Sequence, residues 1–164
     1  MSIHEKTLPS EPRETRDLAE FRETRAAKPH RYATLLGERA LDTSTLVAKV
    51  EAGLPFRAFV HLQRNLDLPM SRLAAIVNIR PRTLSRRKEE GRLEPDESDR
   101  LLRASRVFGR ALELFESDAA GARAWLARPQ RALGGAVPLD LLRTEVGARE
   151  VEELIDRLEH GVFV

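Results

Sequence analysis

An all-α fold is predicted by three features of the sequence. Ala, Leu, Arg and Glu dominate a chain of 164 residues with only 5% aromatics, a balance that favours helices over strands. Apolar residues recur at i, i+3, i+4 and i+7 in several stretches, the signature of one buried helix face. Between those stretches stand Asp, Ser and Thr before a run and Gly after it, the residues that start and stop helices. With 41% hydrophobic and 33% charged residues, the composition suits a soluble helical protein with a polar surface.

Taken in order, residues 1–31 mix Glu, Arg, Thr and Pro, while Leu8, Leu18 and Phe21 stand alone. So little apolar surface offsets the entropy of ordering poorly. The segment is expected to be disordered or ordered by a partner, although alternating Glu and Arg between residues 13 and 27 also fit a polar helix. Tyr32 to Gly37 open the folded part. Asp42, Thr43 and Ser44 offer N-caps for a helix carrying Leu46, Val47 and Val50, with Gly53 as its stop. Pro55 restarts the chain, and Phe56, Phe59, Val60 and Gln63 continue at helical spacing to Asn65. His61 has no acidic or histidine neighbour in sequence, so it reads as a surface or satisfied core histidine rather than a metal ligand.

Residues 66–91 organise the rest. Met70, Leu73, Ala74 and Val77 form one helical face, and Asn78 tolerates the left-handed backbone of a sharp turn. Pro81 fits the first turn of a second helix, where its missing N–H is no loss. There Leu84 is expected to point inward, with Arg82, Thr83, Ser85, Arg86 and Arg87 spread around the exposed surface. Arg80 stands where a small polar cap is usual. From Arg80 to Arg92 six Arg or Lys face two Glu, a local balance of +4. A corner followed by a basic helix is the layout of a helix-turn-helix whose second helix enters a DNA major groove. Arg80, Arg82, Thr83, Ser85, Arg86, Arg87 and Lys88 are the expected DNA-binding residues, because guanidinium forks and hydroxyls reach base edges and phosphates.

Pro95, Asp96, Glu97 and Asp99 start a long helix, since Pro and acids both suit a first turn. Its stripe of Leu101, Ala104, Phe108, Ala111, Leu112 and Phe115 is broad enough to sit between other helices or in a homodimer seam. Leu101, Phe108, Leu112 and Phe115 mark that face, and Gly109 within it points to close packing. Asp118 begins a short helix with Ala122, Trp125 and Leu126. Trp125 is a core anchor or an interface anchor. Gly134-Gly135 lacks the spacing and the Lys of a phosphate loop and reads as a turn. A last helix from Ala148 to His160 carries Val151, Leu154, Ile155 and Leu158, and Gly161 ends it before the apolar Val162-Phe163-Val164.

Charge is uneven although the net value is only +2. Residues 140–164 hold seven acidic and three basic side chains, a balance of −4, so a basic unit and an acidic unit point to two different partners. There is no cysteine, which excludes disulfides and thiolate chemistry. No signal-like or long apolar run appears, so a cytoplasmic protein without membrane insertion is expected. No nucleophile–base spacing, paired histidine or metal-ligand pattern stands out, and neither catalytic residues nor a cofactor nor a metal is expected. The boundaries read as 1–31 for the N-terminal segment, 32–94 for the helix-turn-helix region, and 95–164 for the long helix with a C-terminal domain.

The second half also carries specific motifs. They are Arg82-Thr83-Leu84 with Arg86-Arg87-Lys88, Glu97-Ser98-Asp99-Arg100-Leu101, Trp125-Leu126 with Pro129, and Ala132-Leu133-Gly134-Gly135. Pro138-Leu139-Asp140-Leu141-Leu142, Thr144-Glu145-x-Gly147 and Glu159-His160-Gly161 follow in order. From about Asp42 to Val164 the chain resembles the Xre-type antitoxins of RES–Xre toxin–antitoxin pairs. The resemblance implies an Xre-like DNA-binding part, a small helical toxin-binding domain, and a RES-domain toxin that consumes NAD as partner. It further implies occlusion of the toxin's active site and repression of the antitoxin's own operon, alone or with toxin bound. The broad α-helical face adds the expectation of a homodimer, which would enter a higher-order toxin–antitoxin complex. On that basis Glu159, His160, Gly161, Val162, Phe163 and Val164 are expected to meet the toxin, with Phe163 as anchor. The alternative for Phe163 is folding back into the chain's own core. The alternative for the whole chain is a stand-alone transcription regulator whose C-terminal helices dimerise or bind a small ligand.

Overall fold

A computed structural model describes residues 14–24, 28–39 and 41–161. Among these residues the chain is helical, with one isolated bridge between Pro55 and Arg92 and no strand. The helices are α1 (Arg16–Glu23), α2 (Thr43–Ala52), α3 (Phe56–Leu66), α4 (Met70–Ile76), α5 (Pro81–Glu90), α6 (Pro95–Leu114), α7 (Ala119–Leu126), α8 (Pro138–Leu141) and α9 (Glu145–Glu159). Short 3-10 helices cover Arg31–Leu36 and Arg131–Leu133.

The 20-residue α6 is the axis of the molecule. Leu101, Ala104, Val107, Phe108, Ala111 and Leu112 are each 0–1% exposed, because α2, α7, α9 and the Arg31–Leu36 turn all pack on it. The stripe of Leu101, Phe108 and Leu112 is therefore core within one chain, with Phe115 half-buried at its end. No dimer is needed to cover it. Close packing at Gly109 is real: a Cβ there would stand 3.0 Å from Tyr32 Cβ and 3.3 Å from the Phe21 ring.

Caps follow the sequence closely. Asp42 accepts the Thr45 N–H at 2.9 Å and also both nearby hydroxyls. Asp118 accepts from Gly121 N–H at 3.1 Å. Thr144 accepts from Gly147 N–H at 3.0 Å, so α9 begins one turn before the expected Ala148. That start is a Thr cap followed by Glu145, a signal already present in the sequence.

The N-terminal segment departs from expectation. Residues 1–13 and 25–27 lie outside the described residues, but Arg16–Glu23 within the segment forms α1. Thr15 caps it by accepting Leu18 N–H. Leu18 and Phe21, one turn apart, are 5% and 1% exposed, and Arg31 places its guanidinium 4.0 Å above the Phe21 ring, a cation–π contact. Two apolar residues suffice because a polar cluster beneath them completes the docking. Asn65, fully buried, donates to Asp17 Oδ2 and to Leu35 O, both at 2.8 Å, and accepts from Thr15 Oγ1. His61 Nδ1 lies 2.6 Å from the same Asp17 carboxylate. The histidine is thus satisfied by an acid 44 residues away, a partner invisible to local spacing.

Two outcomes are expected. Phe21→Ala removes a fully buried aromatic and should lower stability by about 3–5 kcal/mol, measured by urea unfolding; an unchanged midpoint would undock α1. Hydrogen bonds from Thr45 and Ser44 hold the Asp42 carboxyl down from 3.8 to about 2. A depressed carboxyl contributes stability above its unfolded pKa and loses it as pH falls through the folded value. Asp42→Ala should therefore melt lower than the parent at neutral pH, with the gap closing between about pH 4 and pH 2.

Candidate functional site

The α4–α5 corner is built as the residue types dictate. Leu73, Ala74, Ile76, Val77 and Ile79 are buried, while Asn78 at the turn has φ of 54°, the left-handed region that Asn accepts more readily than most. Pro81 opens α5 and Gly91, at φ 76°, closes it. Arg100 on α6 braces the turn by donating to Val77 O at 2.7 Å. Arg80 sits at the N-cap and supplies no side-chain cap.

On α5 the residues 82, 85, 86 and 89 share one face, at i, i+3, i+4 and i+7. Arg82, Ser85, Arg86 and Glu89 are all exposed, as are Arg80 and Lys88, whereas Thr83 and Leu84 are half-buried. Such a face presents two guanidinium forks suited to guanine edges or phosphates, a hydroxyl suited to either, and a carboxylate able to accept from cytosine. Glu89 was not singled out from the sequence, though the same 3.6-residue spacing marks it.

Arg87 does not belong to this face. Its side chain is 10% exposed and turns back to α6, where Nε reaches Glu97 Oε2 at 2.8 Å and Nη2 reaches Oε1 at 3.1 Å. The hydrogen bonds that Arg87 donates to Glu97, against the opposing effect of burial, raise the guanidinium further above its usual range. Glu97 also accepts the Glu94 N–H at 2.9 Å, so one carboxylate caps α6 and fixes α5. Position 87 is half a turn from the outward face, which helical geometry alone marks as inward. The expected spread of arginines all round the surface overlooked that.

The acidic C-terminal unit is less free than its charge implied. Arg103, Arg106 and Arg110 on α6 form a row that answers Glu145, Glu152, Asp156 and Glu159 on α9. Burial disfavours the charge on Arg106, and the carboxylates of Glu152 and Glu145 more than offset it, so its proton affinity is raised. Glu159, expected to meet a partner, lies 3.2 Å from Arg110. His160 Nδ1 is 2.7 Å from Asp156 O, and Gly161 turns the chain at φ 67°. Val162, Phe163 and Val164 fall outside the described residues. Between α7 and α9, Trp125, Gln130, Leu154, Arg157 and Leu158 line an open groove of about 860 Å³. Trp125 is half-buried against Phe115, ring centroids 6.4 Å apart.

Residues 45–106 match the family described as the Antitoxin Xre-like helix-turn-helix domain. Residues 110–161 match the Antitoxin Xre/MbcA/ParS C-terminal toxin-binding domain. The protein named Antitoxin Xre from Yersinia enterocolitica is 35% identical over 144 residues, 87% of this chain and 97% of its own length. The chain belongs to the Xre antitoxin family. A Photorhabdus laumondii protein of the same name is 37% identical over 118 residues, covering 71% of this chain and 80% of that one. Another, from Pseudomonas putida, is 36% identical over 81 residues, about half of each chain (49% and 50%). The boundary between the two matched domains falls within α6, so the two units of this chain share one helix.

The two neighbouring arginines should separate cleanly. Arg87→Ala strands the Glu97 carboxylate and should cost about 3 kcal/mol of stability, the lower end for a broken buried pair. Arg86→Ala, with its side chain 61% exposed, should unfold within a few tenths of a kcal/mol of the parent. Chemical denaturation of both variants checks this, and equal losses would contradict the inward assignment.

Proposed function

We propose that this chain is the antitoxin of a type II toxin–antitoxin pair, acting by binding rather than by catalysis. The 110–161 unit binds the cognate toxin, a RES-domain protein that consumes NAD, and blocks its active site. Through α5 the chain represses its own operon in the cytoplasm, as a homodimer that the toxin joins in a higher-order complex. The observation that carries this reading is the pairing of two units on one helix. The outward Arg82–Arg86 face belongs to the unit matched over residues 45–106, and the unit matched to a toxin-binding domain over residues 110–161 begins within the same α6. Among the described residues no helix is long and apolar enough to cross a membrane.

DNA contact is assigned to Arg80, Arg82, Thr83, Ser85, Arg86 and Lys88, with Arg87 now holding α5 in place. Toxin contact is assigned to Glu159, His160, Gly161, Val162, Phe163 and Val164. Gly161 ends α9 with a left-handed φ of 67°, and an aromatic that becomes buried at an interface carries a large share of its energy, the role proposed for Phe163. A cleft shaped for a dinucleotide pyrophosphate is rich in positive groups, so an acidic helix end suits it by charge.

Deleting residues 160–164 should leave melting temperature and binding to the upstream DNA near those of the parent, yet abolish protection of cells expressing the toxin. Protection by the truncated chain would remove the tail from the blocking role. Arg82→Ala with Arg86→Ala should weaken operator binding and relax base preference by about 1–3 kcal/mol per lost bidentate contact. Unchanged discrimination would remove α5 from base reading.

A further inference from the structure

We infer that α3 and the end of α5 form a second DNA-facing surface, a basic groove that holds the phosphate backbone beside the base-reading face. The inference rests on the DNA reading of α5 and extends it to residues on another helix. The groove, about 460 Å³, lies between the two helices and is lined by Phe56, Arg57, Val60, Arg64 and Lys88, with no Asp or Glu in its wall. His61 also lines it, but the Asp17 carboxylate that partners its ring accepts from Asn65 on the inner side.

Three observations bear on these cations. First, the arginines of α6 are spent on structure: Arg100, Arg103, Arg106 and Arg110 are each ion-paired. Arg87 is likewise paired, and Arg92 caps the end of α2 through Ala52 O and Gly53 O. Among the described residues, Arg57, Arg64 and Lys88 have no carboxylate within ion-pair distance. Second, Arg57 stands in the first turn of α3, where the helix dipole disfavours a cation. Its position is explained by an external anion better than by the helix. Third, Lys88 flanks the Arg82–Ser85–Arg86–Glu89 face on the same helix, so groove and face are continuous. A duplex laid on that face presents a row of phosphates, and non-specific phosphate contacts need only exposed, unanswered cations.

The groove is therefore assigned a positioning role: it adds affinity and salt dependence without reading sequence. The test uses the full chain, the duplex upstream of its gene and an unrelated duplex of equal length, titrated across a salt series. Arg57→Gln with Arg64→Gln should flatten log K against log salt by about 1–2 on both duplexes alike, leaving the ratio of the two affinities unchanged. Lys88→Gln, on a separate helix, should flatten it by about 1. If the α3 pair melts differently from the parent, the exposed Arg64→Gln alone decides the matter, with an expected flattening of about 1. If Arg82→Gln with Arg86→Gln lowers the affinity ratio while the α3 and Lys88 variants keep the parental slope, the groove is not a phosphate track and the DNA reading stands. If the parent binds neither duplex, or no variant alters binding, the DNA reading itself falls. Loss of a co-purifying protein by the α3 variant, with DNA binding intact, would assign the groove to that protein instead and overturn the inference.

Discussion

Everything in this molecule is arranged to enclose α6. Its apolar positions run around most of its circumference, from Leu101 through Val107 and Phe108 to Leu112, and none can be left in water. Burying an aliphatic or aromatic side chain is worth about 1.5–3 kcal/mol, so a helix of this kind must be covered from several sides. Here the cover is supplied by α2 and the Arg31–Leu36 turn, which α3 and α1 back, and by α7 and α9 from the C-terminal unit. The two functional units are thus not beads on a linker. They share a core.

That sharing gives the recognition helix its fixed frame. Arg87 ties α5 to the start of α6 through Glu97, and Arg100 ties the turn before α5 to the next stretch of the same helix. From the other unit, Arg72 on α4 meets Asp140 on α8 at 2.6 Å, and Arg123 on α7 donates to Asn65 O at 2.9 Å. The Arg72–Asp140 pair is 40% and 52% exposed, so water screens it and its stabilisation is slight. The buried links carry the rigidity. The two units are joined through packed side chains of one core rather than through a flexible tether.

Arginine is used in two distinct ways. At position 87 its fork makes two hydrogen bonds to a carboxylate that folding has taken out of water, and on α6 it answers partly exposed acids of α9. On the outer face of α5 and along α3 it is left unanswered or nearly so, as at Arg86, whose nearest carboxylate is Glu90 at 3.8 Å. The formal charge count treats both uses alike. Only the partner of each guanidinium separates them.

The sequence by itself determined what depends on near neighbours. The helical class, the caps at Asp42, Asp118 and Thr144, the left-handed turn at Asn78, the Pro81 start and the Gly161 stop all follow from backbone preferences within a few residues. So does the outward face of α5, and the motifs from Arg82 to Gly161 carried the family. Tertiary structure alone decided which groups meet across the chain. It docked α1 by pairing Asp17 with His61 and Asn65, placed Phe21 against Gly109, gave the inward Arg87 its partner in Glu97, and matched the acids of α9 to the arginines of α6. The physical reason is common to all four: a polar or apolar side chain is assigned by what surrounds it after folding, and partners 10 to 88 residues apart leave no trace in local spacing.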